Sequence, residues 1–290
     1  MLGIALAVLS AAASGFAVIA VGRHSRRSNT FNVSLVVSIV GLAILWPLAI
    51  LLTDFSATSF EGIALFAVSG LLTPGLVRLF YYSGLRKLGT SVNSAVFAVY
   101  PLYSSLLAVL FLGETLTFEN WTGVFSIFLG VLFVEMASRN LNGGNNRSVK
   151  NLVLPILGGL TFGVSLIIRK SALNLYNAPL LGVAIAYTVS LLPFAIILAL
   201  HKPTQKELSL KQDFRLFWTA GVGQALSWVL SFYALTFQTV AVIVPLLSIE
   251  PIFVVLLAYL YMKDLEYVSP KLIASIVLTV FGVILIIIRP

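Results

Sequence analysis

Long apolar runs separated by short polar tethers set the rhythm of this 290-residue chain. Ten such runs stand out: Leu2–Gly22, Phe31–Thr53, Gly62–Gly84, Ser91–Leu112, Phe118–Met136, Leu152–Ile168, Ala178–Leu200, Leu216–Phe237, Thr239–Met262 and Leu272–Ile288. A helix needs ~20 mostly apolar residues to cross the hydrocarbon core of a bilayer. None of the runs alternates polar and apolar with a period of two, as barrel strands would. The pattern therefore predicts an all-α integral membrane protein with ten transmembrane helices. The first run follows Met1 without the basic stretch of a signal peptide, so it reads as a span.

The longest polar connection, 138–151, is rich in Gly and Asn and lies near the middle of the chain. It divides the spans into five in 1–137 and five in 152–290. Sliding the chain by 150 residues puts Leu85 on Leu235, Pro101 on Pro251, and Leu106, Leu107 and Ala108 on Leu256, Leu257 and Ala258. After a two-residue insertion Glu114 meets Glu266, and Gly130 and Val131 meet Gly282 and Val283; Gly15 meets Gly163 at a shift of 148. Leu and Ala coincide cheaply in membrane sequences, but an ordered set of Pro, acid and Gly does not. An odd number of spans per copy forces the second copy to enter the membrane from the opposite side. Inverted repeats of this kind mark secondary transporters, with the substrate near the midplane between the halves.

Composition agrees. Hydrophobic residues make up 59% of the chain and charged residues 10%, against roughly 25% charged in soluble domains. The net charge of +8 does not point to nucleic acid, because no Arg-rich helix or basic-aromatic stripe is present. The basic residues follow topology instead. Fourteen of the eighteen lie in the loops after odd-numbered spans: Arg23, Arg26 and Arg27; Arg86 and Lys87; Arg139, Arg147 and Lys150; Lys202, Lys206, Lys211 and Arg215; Lys263 and Lys271. Arg169, Lys170 and Arg289 fall on the other side, and Arg78 falls inside a span. The positive-inside rule then places the odd loops in the cytoplasm and both termini outside, in a prokaryotic cytoplasmic membrane. With no cysteine, disulfides, thiol nucleophiles and thiolate metal sites are excluded. The expected partners are a small-molecule substrate and lipid, with the chain a monomer or homodimer.

Polar residues inside the spans carry the candidate chemistry. Glu250 lies midway along the ninth span, in LLSIEPIF. A carboxyl at that depth is expensive unless it faces a cavity or a partner; there it would bind a substrate amine or carry a coupled proton. Its alternative role is to satisfy the backbone freed by Pro251. Arg78, in the third span, shares a helix face with Tyr81 and Tyr82, and its guanidinium suits a carboxylate or phosphate. Its alternative is a salt bridge to Glu250 or snorkelling to an interface. In the eighth span Gln224, Ser227, Trp228 and Ser231 form a polar stripe that should face a cavity, since lipid would penalise it. The repeat places Trp228 on Arg78 and Ser231 on Tyr81. The fourth span presents Asn93, Phe97, Tyr100 and Ser104 on one face, with Tyr100 the repeat partner of Glu250. Pro101 and Pro251 are expected to kink their helices near the midplane and act as hinges.

Other polar residues promise less. Ser10, Ser14, Thr161 and Ser165 read as small packing residues. Arg169 and Lys170 read as an interfacial pair at the end of the sixth span; Glu114, Asp264 and Glu266 read as solvated acids flanking spans. His24 and His201, at helix ends, carry neither a metal nor a proton in this reading, and no cofactor is expected. No H-E-x-x-H, Walker A, G-x-G-x-x-G or G-x-S-x-G motif is present, so an enzyme is not expected and no ATPase drives the protein.

Two stretches carry a family resemblance. YPLYSSLLAVLFLGETLTFENWTGVFSIFLGVLFV from Tyr100, and EPIFVVLLAYLYMKDLEYVSPKLIASIVLTVFGVILI from Glu250, preceded by FYAL at Phe232–Leu235, share a helix Pro, an acid after the helix and a Gly late in the next span. They resemble the closing segments of the two repeats in EamA-type transporters of the drug/metabolite transporter superfamily. In the second copy, MKD makes Asp264 and Glu266 rival matches to the family acid. The resemblance implies ten helices, a cavity lined by the first, third, fourth, sixth, eighth and ninth spans, and the fifth and tenth as scaffold. It also implies both termini in the cytoplasm, opposite to the charge count.

The function expected is therefore a secondary transporter that works by alternating access and exports amino acids or similar zwitterions. Arg78 would hold the carboxylate and Glu250 the amine, with Tyr81, Tyr82, Tyr100 and Trp228 around the side chain. The alternatives are a proton-coupled exporter of organic cations or drugs, using Glu250 alone, and, in other classes, a membrane-embedded enzyme or a non-transporting scaffold.

Overall fold

The computed structural model describes residues 1–22, 30–56, 58–88, 96–97, 99–137, 149–200, 210–261 and 270–288. Within them the regular structure is helical: α1 (Leu2–Gly22), α2 (Thr30–Leu52), α3 (Phe60–Gly70), a wide π turn (Leu71–Leu76), α4 (Val77–Leu88), α5 (Tyr100–Leu112), α6 (Phe118–Ala137), a short 3₁₀ turn (Val149–Leu152), α7 (Val153–Leu175), α8 (Pro179–Val189), α9 (Leu191–Leu200), α10 (Leu210–Phe237), α11 (Val240–Leu247), α12 (Glu250–Tyr261) and α13 (Pro270–Ile288). Each span read from the sequence is represented by helix. Five stretches are long and apolar enough to cross a bilayer outright: Leu2–Val21, Asn32–Leu52, Phe60–Tyr81, Val153–Leu175 and Lys211–Phe237.

Several spans are broken, and prolines stand at the breaks. The third span divides at Thr73, whose φ of −141° and ψ of 118° are extended, as a residue before proline prefers. The ninth span breaks at Ser248 and Ile249, and Pro251 then enters the first turn of α12. Pro101 likewise occupies the first turn of α5. Both prolines thus open a helix, where the missing N–H leaves no bond unmade. At Pro251 the discontinuity takes the form of a break just before the proline rather than a bend around it. A correction concerns length: α7 continues to Leu175 instead of ending at Ile168, which carries Arg169 and Lys170 inside the helix.

Packing between the halves follows the repeat. α1 packs on α10 as α7 packs on α3, α1 on α12 as α7 on α5, and α2 on α10 as α8 on α3. The pairs α2–α8, α5–α11 and α6–α13 map onto themselves. Exchange of the two halves therefore reproduces the contacts, as an inverted repeat requires. α6 and α13 approach with almost no space between their backbones. A Cβ on Gly282 would stand 2.7 Å from the Gly123 carbonyl oxygen and 2.8 Å from the Ile127 nitrogen, so the crossing needs glycine there. Large apolar side chains such as Phe16, Phe125, Phe133, Leu226 and Ile284 are exposed on the outer surface, which suits lipid and would not suit water.

Candidate functional site

A cavity of about 650 Å³ lies between the halves. Its wall collects Arg78 and Tyr81 from α4, Tyr100 from α5, Gln224, Ser227, Trp228 and Ser231 from α10, and Glu250 from α12. The sequence singles out Arg78 and Glu250 as charges inside spans and the others by helical spacing, and the repeat-related pairs Arg78/Trp228 and Tyr81/Ser231 both line the cavity. Phe97 stands outside the lining and braces it. Its ring centroid lies 5.1 Å from that of Tyr81, 5.5 Å from Tyr100 and 5.9 Å from Phe162. The Tyr82 side chain, Asn93, His24, His201, Asp264 and Glu266 lie outside the described residues. Ser104, the last of the fourth-span set, is buried and donates to the Pro101 carbonyl at 3.0 Å. The second span also contributes Val33, Ser34 and Val37, which the resemblance did not imply. No described residue of α6 or α13 lines the cavity.

Glu250 opens α12 beside the helix break, and Ser14 Oγ of α1 donates to its Oε2 at 2.5 Å. One turn earlier on α1, Ser10 Oγ donates to the Ser227 carbonyl at 2.7 Å and lies 3.1 Å from Ser227 Oγ. Both serines line the cavity. Their reading as packing residues is therefore corrected: they tie the first span to the ninth and eighth across the site. Ser165 keeps a packing role, donating to the Ser69 carbonyl at 3.0 Å. Arg78 Nη1 donates to Ser38 Oγ on α2 at 3.0 Å.

Arg169 departs most from expectation. It is not interfacial but 2% exposed, on the cavity wall. Its guanidinium carbon lies 4.5 Å from the ring centroids of both Trp228 and Phe232. Its Nε and Nη2 are buried without a hydrogen-bond partner, as is Tyr187 Oη. The Tyr187 ring meets Trp228 edge-on at 5.6 Å. The signal for Arg169 was available in the sequence: it lies two turns after Phe162, another wall residue, hence on the same helix face. Ending the span at the first charge concealed it.

A model of the EamA-like transporter family matches residues 1–136 and 150–288, one segment on each half of the chain. The chain belongs to the EamA-like transporter family. It is accordingly a transporter and an integral membrane protein. A solved crystal structure superposes with a TM-score of 0.80, covering 99% of this chain and 97% of the other at 13% identity, a likeness of fold. No curated protein matches the chain.

The transporter is tied together at the end that carries the even-numbered loops. Glu114 is not solvated as expected. Its Oε1 accepts from Val240 N at 2.8 Å and its Oε2 from Ala241 N at 2.9 Å. A carboxylate at the start of α11 satisfies donors the helix cannot and complements its dipole. Lys170 Nζ donates to the Leu235 carbonyl at 2.6 Å and the Gln238 carbonyl at 3.1 Å, doing the converse at the end of α10. Tyr176 Oη donates to the Asp54 carbonyl at 3.0 Å. The exposed Asp54 carboxylate, in turn, accepts from Ser56 N at 2.9 Å, which lowers its pKa below the ordinary value. The cavity lies toward the opposite end, where Val21, Val33 and Ala220 line it. Among the described residues no three His, Asp or Glu side chains converge as a metal site would need.

Proposed function

We propose that this EamA-like transporter is a secondary transporter that exports small zwitterions, amino acids or close analogues, by alternating access around the cavity. The observation that carries this reading is the presence of Arg78 and Glu250 on one cavity wall among Tyr81, Tyr100 and Trp228. A guanidinium fork pairs with a carboxylate, a carboxyl pairs with an amine, and the rings enclose the rest of the substrate. Glu250 can also carry a coupled proton, because an ionisable group inside a span is retained for such work. The cross-ties at the even-loop end support a state closed on that side. With the odd loops in the cytoplasm, as the charge count places them, that state faces inward.

Organic cations fit less well, since Arg78 and Arg169 on the same wall repel them. The test is transport by the purified protein in liposomes. Amino-acid flux that falls at least tenfold in both Arg78→Ala and Glu250→Gln is the expected result. Flux that survives both substitutions removes the assignment.

A further inference from the structure

A guanidinium taken out of water persists only where other groups replace its hydration. For Arg169 the rings of Trp228 and Phe232 do part of this, each at 4.5 Å from the guanidinium carbon. Aromatic faces attract the cation but accept little from its in-plane N–H bonds. Two of the in-plane nitrogens, Nε and Nη2, have no acceptor. They form one edge of the guanidinium, the edge whose N–H bonds run parallel and match the two oxygens of a carboxylate. Tyr187, whose ring meets Trp228 edge-on at 5.6 Å, also has a buried Oη without a partner.

We infer that the Nε–Nη2 edge of Arg169 is a docking fork for a substrate carboxylate. Together with Arg78 and Glu250 it makes the cavity selective for zwitterions that bear an additional carboxylate. Charge supports the class: two guanidiniums face one carboxyl on the wall, so a substrate with one net negative charge balances the site. Size supports it too, because about 650 Å³ exceeds the needs of a short neutral amino acid. Docking requires the guanidinium or the Trp228 ring to swing toward the cavity that both already line. The substrate class rests on the transport reading above; the fork itself does not.

The experiment measures binding by thermal shift of the full chain with glutamate, alanine and succinate. It uses the parent, Arg169→Lys, which keeps the charge and loses the fork, and Arg169→Met, which loses both. The parent should bind glutamate at least tenfold more tightly than alanine. Both variants should lose that preference, with glutamate affinity falling about tenfold more than alanine affinity does. Glutamate affinity within twofold of the parent in both variants overturns the fork. So does a parent that prefers alanine, even if neither variant folds. Succinate bound by the parent but not by Arg169→Lys, with neither amino acid bound, leaves the fork standing and removes the zwitterion reading. No binding of the three overturns both.

Discussion

Ser14 Oγ donates to Glu250 Oε2 at 2.5 Å, joining the first span of one half to the ninth span of the other on the cavity wall. The carboxyl is thus held in place by a neutral donor. A group so placed can change its charge without breaking an ion pair at that contact. Glu250→Gln keeps the shape and an acceptor for Ser14 but holds no proton. Its expected outcome is flux reduced at least tenfold and a residual flux indifferent to an imposed pH gradient. Uptake into liposomes, with and without the gradient, measures both. A variant that still responds to the gradient as the parent does would take Glu250 out of coupling.

Glu114 predicts a different effect, on the balance of states rather than on the site. Its two oxygens take the Val240 and Ala241 N–H groups at the start of α11. Removing a helix-capping side chain costs about 0.5–2 kcal/mol. Because this cap joins the fourth span to the ninth, Glu114→Ala should weaken closure of the even-loop end. The chain has no cysteine, so Val21→Cys, at a part-buried position of the cavity wall, supplies a single thiol. In the parent that thiol should react from the odd-loop side. In the Glu114→Ala background its reaction from the even-loop side should rise severalfold.

Glu114 and Arg169 owe their placement to partners distant in sequence, which a single chain does not display. The span count, the repeat and the wall residues of α4, α10 and α12 follow from local periodicity, which one chain displays directly. Glu114 looks solvated because it sits in a polar tether. Its partners, Val240 and Ala241, lie over a hundred residues away and are backbone groups with no signature. Arg169 looked interfacial because a charge normally ends an apolar run. The ring faces of Trp228 and Phe232 that allow it to stay inside come from the other side of the fold. Breaks were hidden for a related reason: composition cannot tell a proline that bends a helix from one that begins the next.

The crossing of α6 and α13 should matter for stability and not for the substrate. A Cβ at position 282 would meet the Gly123 oxygen at 2.7 Å, and overpacking of this kind typically costs about 1–3 kcal/mol. Gly282→Ala should therefore lower the melting temperature by several degrees. Substrate affinity should stay within twofold of the parent, since neither helix lines the cavity among the described residues. A marked loss of affinity at unchanged melting temperature would make these helices part of the site.

Orientation is decided by two exposed positions on opposite ends of the bundle. Asp54 follows the second span and Lys150 precedes the sixth. Fourteen of the eighteen basic residues lie on the Lys150 side, and such an excess is held in the cytoplasm during insertion. The family resemblance places the termini, and with them Asp54, in the cytoplasm instead. In intact cells a membrane-impermeant thiol reagent should label Asp54→Cys, and it should reach Lys150→Cys only after permeabilisation. The reverse pattern would put the odd loops outside. The cavity, which lies toward those loops, would then belong to an outward-facing state, and the ties at Glu114, Lys170 and Tyr176 would be its cytoplasmic seal.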